Sequence, residues 1–128
     1  MNRFFLDTNI FIYFMQDVPE VESFFDDRIT SESIVYYSFI TRLELLGLPQ
    51  IIDEVTEKID LFLDEFYRID YNLNIEEYVV KIRKDHKIKI PDSIIAASAI
   101  YTNSTLITRN VKDFRKIEGL ELLNPFDN

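Results

Sequence analysis

Apolar positions follow two rhythms along this chain. Short apolar bursts bounded by turn residues predict strands at residues 3–6 (RFFL), 33–39 (SIVYYSF), 67–70 (YRID), 105–108 (TLIT) and 120–124 (LELLN). Between them, apolar residues at spacings of three and four predict helices over 9–15, 19–28, 41–48, 51–66 and 74–86, and in DSIIAASAIYT behind Pro91. Asp17 and Pro19 mark the start of the second helix, and Gly47 and Pro49 the end of the third. Asn74 with Glu77, and Thr41 with Glu44, match the capping box, in which the two side chains satisfy each other's free backbone N–H groups. Strands separated by helices call for an α/β fold: a mostly parallel central sheet of about five strands with helices on both faces.

Composition narrows the chemistry. A chain of 128 residues, 47% hydrophobic, suits one domain over residues 1–128 and leaves no room for a second. No internal repeat, low-complexity tract or linker interrupts it. With no Cys and a single His86, disulfides, thiolate metal sites and His-rich zinc sites are excluded, so any metal would be a hard cation held by oxygens. The longest apolar runs, SIIAASAI and IFIYFM, are far short of the roughly 20 residues that span a bilayer, and no basic and apolar leader opens the chain. The expectation is a soluble, cytoplasmic protein with no membrane contact.

A net charge of −9 argues at first against a nucleic-acid partner. The charge is unevenly spread, however. Residues 81–116 carry nine Lys or Arg against three acids, a balance of +6, so the remainder holds −15. One stretch is therefore able to face phosphates, although solvated helix faces also carry such charges.

Candidate chemistry begins where RFFLDTNIFIYFM stops for Asp7, Thr8 and Asn9 and then resumes as Ile10, Phe11 and Ile12. A carboxylate in so apolar a setting is costly to bury unless something pairs with it. Three more acids share its kind of position: Glu44 after the second strand, Asp92 in the first turn behind Pro91, and Asp113 after the strand TLIT. Singly, each is explained by the affinity of carboxylates for helix N-termini. Together they sit at strand-to-helix junctions, and in parallel sheets those junctions converge on the crevice where ligands bind. Carboxylates so crowded resist ionising unless a cation neutralises them, and a cluster without His or Cys suits Mg2+ or Mn2+. A divalent ion there can activate water and stabilise charge on a phosphoryl oxygen, which points to phosphodiester hydrolysis. The basic stretch contains Asp92 and Asp113 and would bring Lys and Arg to the substrate backbone.

The same residues resemble the PIN domain family, and within it the VapC-like toxins of toxin–antitoxin pairs, over nearly the whole chain. FLDTNIFI resembles the family's opening motif, SFITRLELLGLP its second block, KIKIPDSIIAASAI its third and LITRNVKDFRKIEGLELLNPF its C-terminal block. The resemblance implies a PIN-like fold with Asp7, Glu44, Asp92 and Asp113 as metal ligands and catalytic acids. Thr8, Asn9 and Thr108 take supporting polar positions, and Asn110 stands where some relatives place a further acid. It further implies a Mg2+- or Mn2+-dependent endoribonuclease acting on RNA, commonly transfer or ribosomal RNA. A cognate antitoxin whose tail occupies a groove near the site, and a homodimer, are implied as well.

Lys89, Arg109 and Lys112 flank the acidic blocks and are candidates for holding phosphate. His86, in KIRKDHK, reads as part of a solvated helix rather than a general base. Phe11, Tyr13, Phe14, Phe24 and Phe25 are expected mostly in the core, with some available to anchor an antitoxin helix. Two other readings keep the same residues: a PIN-fold interaction module that cuts nothing, and a nuclease directed at DNA.

Overall fold

The computed structural model of the chain describes residues 2–127. Five strands form one sheet: β1 (Arg3–Leu6), β2 (Ile34–Ser38), β3 (Tyr67–Ile69), β4 (Thr105–Ile107) and β5 (Glu121–Leu123). Their order is β3-β2-β1-β4-β5, and every pairing is parallel. The chain thus starts at the centre of the sheet, steps outward to one edge, and crosses over to fill the other half. Neighbouring β1 and β4 are where that direction reverses, the place at which parallel sheets open a crevice. No helix of the described residues is long and apolar enough to cross a membrane.

Seven helices connect the strands: α1 (Thr8–Met15), α2 (Pro19–Arg28), α3 (Phe39–Leu46), α4 (Asp53–Leu63), α5 (Leu73–Asp85), α6 (Ile90–Tyr101) and the short α7 (Val111–Phe114). They cover both faces of the sheet, which is why its strands read as continuous apolar runs rather than as alternating ones. On β1, Phe4 and Leu6 enter a core shared with α1 to α4, while Phe5 enters the core formed with α5, α6 and α7. β2 divides likewise, Val35 and Tyr37 to the first core and Tyr36 to the second. Phe11 and Phe24 are buried, and Tyr13, Phe14 and Phe25 pack against them, so all five candidate aromatic anchors belong to the core.

Three local expectations are corrected. The Asn74–Glu77 box does not open α5; Asn72 caps it, its side-chain carbonyl accepting from the Ile75 N–H at 3.0 Å. Nor do Thr41 and Glu44 cap α3, which starts earlier with Ser38 accepting from the Ile40 N–H at 3.1 Å. Asp17 does not open α2 either: Val18 is its N-cap, and Asp17 takes a left-handed turn conformation at φ 57°, one that Asp tolerates better than most residues. The helix α7 was unforeseen because four residues carry too little periodicity to register. Gly47 does terminate α3, and there a Cβ would meet the Leu43 carbonyl oxygen at 2.5 Å.

Candidate active site

Asp7, Glu44 and Asp113 are each delivered by the carboxyl end of a strand or by the helix that follows it, whereas Asp92, expected at a strand-to-helix junction, opens α6 at a helix-to-helix junction behind α5. Asp7 ends β1 and is the N-cap residue of α1, yet its side chain makes no capping hydrogen bond. Instead the Thr108 hydroxyl, just past β4, donates to Asp7 Oδ2 at 2.8 Å, and the Asp7 N–H donates to the Ile107 carbonyl at 3.1 Å. Asp7 is only 6% exposed and Thr108 is fully buried. Thr108 in turn accepts from the Asn110 N–H at 3.0 Å. Adjacent strands β1 and β4 therefore hold this carboxylate from two sides.

Glu44 is reached from the opposite direction. The Thr8 hydroxyl donates to Glu44 Oε1 at 2.7 Å and lies 2.8 Å from the Thr41 hydroxyl. One hydroxyl has a single proton, so Thr41 must donate to Thr8 while Thr8 donates to Glu44. Thr41, read from the sequence as a cap, is fully buried in α3 and anchors this relay. Its signal in the sequence was genuine, but its partner is Thr8 rather than the backbone of its own helix.

Asp92, half-buried in the first turn of α6, and exposed Asp113 in α7 complete the set. Asp113 Oδ2 accepts from the Asn110 side-chain amide at 2.8 Å, so these two candidates for one position act as a pair. Ser93, next to Asp92, is buried and donates to the Ile90 carbonyl at 2.7 Å, which tightens the turn that presents Asp92. Asn9 is exposed at the start of α1.

Electrostatics ties the acids together. Burial is the main cause that raises the Asp7 carboxyl from 3.8 to about 6; the Thr108 hydroxyl and the Thr8 amide oppose it, while Asp92 and Glu44 add to it. The Asp92 carboxyl is likewise raised, by burial first and then by Glu44 and Asp113, with only Lys89 pulling it down. Each raised acid thus feels two of the other three. Among the described residues, no three Asp, Glu or His side chains are already gathered as a closed coordination set. Side chains of like charge splay rather than crowd: Asp92 and Asp113 line one opening, Glu44 lines a groove beside it, and buried Asp7 is tied to them by the charges of Asp92 and Glu44. An all-oxygen set of carboxylates, two of them raised by burial and by neighbouring acids, fits a hard divalent cation and does not fit zinc.

The opening itself is a cleft of about 590 Å3 lined by Arg83, Lys87, Ile88, Lys89, Asp92, Asn110 and Asp113. Of the three basic candidates, Lys89 lines this cleft and Lys112 lines the depression beside it. Arg109 does not: its guanidinium stacks 4.0 Å from the Phe126 ring centroid and 5.6 Å from that of Tyr13. His86 caps the end of α5 and lines the same neighbouring depression as Lys112. Arg83 and Lys87 were missed as site residues because the placement of the last turn of α5 and of the link to α6, not nearness to an acidic motif, brings them there. On the far side of Glu44 runs an apolar groove of about 540 Å3, lined by Ile12, Met15, Leu48, Val55, Phe62 and their neighbours.

Several known proteins share this architecture. Ribonuclease VapC2 of Rickettsia felis is 28% identical over 131 residues, covering 94% of this chain and 96% of the relative. A toxin-antitoxin complex from Klebsiella pneumoniae superposes with a TM-score of 0.79 at 30% identity, covering 97% of this chain and 98% of that one. The structure of VapBC-1 from nontypeable Haemophilus influenzae gives a TM-score of 0.82 at 28% identity, covering 98% and 99%. The family described as PIN domain matches residues 4–120, and this chain, built on a five-stranded parallel sheet, belongs to the PIN domain family.

Proposed function

We propose that this protein is a metal-dependent endoribonuclease, the toxin of a toxin–antitoxin pair, that hydrolyses RNA phosphodiester bonds. The ribonuclease and toxin–antitoxin parts of this reading draw on the relatives, which are VapC ribonucleases and VapBC complexes. The observation that carries it in this chain is the electrostatic strain on the acids: burial first, with Asp92 and Glu44 adding to it, raises Asp7 to about 6, and burial followed by Glu44 and Asp113 raises Asp92. Asp7, Glu44, Asp92 and Asp113 are the residues that would hold Mg2+ or Mn2+. Such an ion, when bound, lets neighbouring carboxylates stay ionised together and provides Lewis acidity for attack of water on phosphorus.

The chain's own groups prepare that site. Thr108 fixes the Asp7 carboxylate by a bond that favours its ionised form, and the Thr41–Thr8 relay orients Glu44. Asn110 orients Asp113. Lys89 stands beside Asp92 in the cleft, with Arg83 and Lys87 available to bind the phosphate flanking the one under attack.

The apolar groove beyond Glu44 suits an amphipathic segment of an antitoxin, whose arrival would cover the site. The aliphatic side chains of α1, α3 and α4 supply its anchors, not the aromatic set proposed from the sequence. A homodimer and a cytoplasmic location complete this reading, on the pattern of the family.

The test is cleavage of a total small-RNA pool by the purified chain with Mn2+ or Mg2+. Cuts at defined sites, lost in EDTA and in Asp92→Asn, are expected. Equal cleavage by the Asp92→Asn protein would mark the cuts as those of a contaminating nuclease, and none by well-folded protein supplied with metal would argue for the binding-module reading.

A further inference from the structure

The cleft at the acids continues past them. A second depression of about 400 Å3 lies alongside and shares Lys87 and Asp113 with the first, so the two form one trough. Six cations line it: Arg83, Lys87, Lys89, Lys112, Arg115 and Lys116. All six are exposed, and the core dictates where they point. Phe114 at the end of α7 and Ile117 in the turn after it are buried, which leaves Lys112 on the helix and Arg115 and Lys116 in that turn facing outward. Buried Ile82 similarly leaves Arg83 and the end of α5 facing solvent.

These cations are not spent on ion pairs. Arg42, Lys58 and Arg68 each lie within 4.0 Å of a carboxylate, whereas among the described residues none of the six in the trough does. In a chain of net charge −9, unpaired cations gathered in one place are unusual. Across the site, the groove beyond Glu44 is apolar and carries Lys58 as its single cation. No Phe, Tyr or Trp lines either half of the trough, and the imidazole of His86 in the second depression is the one ring along it, so the trough offers little for stacking bases.

We propose that the trough is a one-sided track for the phosphates of single-stranded RNA. The strand leaves the cleavage point at Asp92, passes Lys89, Arg83 and Lys87, and continues over Lys112, Arg115 and Lys116. Nucleotides on one side of the cut are held by their backbone, and those on the other side are not. The inference rests on the ribonuclease reading of the same site and adds to it a direction and a set of residues. Base preference draws little on the track, whose cations contact phosphate, with His86 as its one ring able to stack a base.

The test measures binding of a labelled single-stranded RNA of about 12 nucleotides to the full chain in EDTA, where it stays uncut, across a salt series. Lys112→Ala/Arg115→Ala/Lys116→Ala should weaken binding about 10- to 100-fold at low salt and flatten the log–log salt slope by about 2, since each phosphate contact on a single strand contributes about 0.7. The charge-keeping variant Lys112→Arg/Arg115→Lys/Lys116→Arg should bind like wild type. Arg3→Ala/Arg28→Ala/Lys81→Ala removes equal charge away from the trough, Lys81 lying in the pocket beside Tyr101, and should leave the slope unchanged. Neutral methylphosphonate linkages should weaken binding when placed on one side of the cut and not on the other. Undiminished binding by the first variant, equal loss in the control variant, or equal loss from both methylphosphonate arms would overturn the track while leaving the ribonuclease reading standing. Wild type that neither binds nor cuts any RNA would overturn both.

Discussion

Replacing Asp7 by Asn separates what this residue does for the fold from what it does for the site. In the folded chain its carboxyl ionises at about 6 instead of 3.8. As pH rises, the unfolded chain loses this proton first, so fold stability falls between pH 3.8 and about 6 and is flat above. The full penalty at neutral pH is about 3 kcal/mol. Asn is nearly the same shape and its carbonyl can still accept from Thr108, but its amide N–H groups enter a buried site at a cost of about 1 kcal/mol. The variant should therefore be more stable than wild type in EDTA by about 2 kcal/mol, or about 6 °C in Tm for a domain of this size. Urea and thermal unfolding at about pH 7.5 measure the gap, and repeating them at about pH 4 should close it. Added Mn2+ should raise the Tm of wild type and not of the variant. A variant no more stable than wild type in EDTA, or an advantage that persists at low pH, would refute the reasoning.

Three further outcomes follow from single contacts. Thr108→Val removes the hydroxyl that holds the ionised Asp7 and should destabilise the fold by about 1 to 3 kcal/mol at neutral pH. Because that bond lowers the Asp7 pKa, its loss should also move the acidic limb of the pH–rate profile to higher pH. Asn72→Ala should cost about 1 kcal/mol as a lost helix cap, whereas Asn74→Ala should stay within about 0.5 kcal/mol in the same urea titration. Phe126→Ala releases Arg109 from its aromatic stack and should cost about 1 to 2 kcal/mol. Hydrogen exchange should show it as faster amide opening at Thr108 and Asn110, which flank Arg109.

Much of this molecule is legible in its sequence where one physical cause dominates. Strands buried on both faces announce themselves as apolar runs, and all five stand within a residue or two of where RFFL, SIVYYSF, YRID, TLIT and LELLN place them. Asp7 was legible because ionisable groups seldom interrupt such runs without a reason. What was not legible depends on long-range contact. Local spacing made Thr41 and Glu44 look like a capping box, yet Thr41 bonds to Thr8 on another helix, 33 residues away. Arg109 follows directly on the site residue Thr108 in sequence, but Phe126, near the other end of the described chain, draws its guanidinium away from the cleft. Arg83 and Lys87 gave no motif at all, since only the packing of α5 against α6 carries the end of that helix to the acids.

The central claim is that four acids from four junctions make one metal site. Calorimetric titration of Mn2+ into the wild type and into Asp7→Asn, Glu44→Gln, Asp92→Asn and Asp113→Asn proteins tests it most directly. Binding that is weakened in all four variants, most strongly at Asp7 and Asp92, is the expected result. Wild-type affinity in the Asp7→Asn and Asp92→Asn proteins, each shown to be folded, would contradict it.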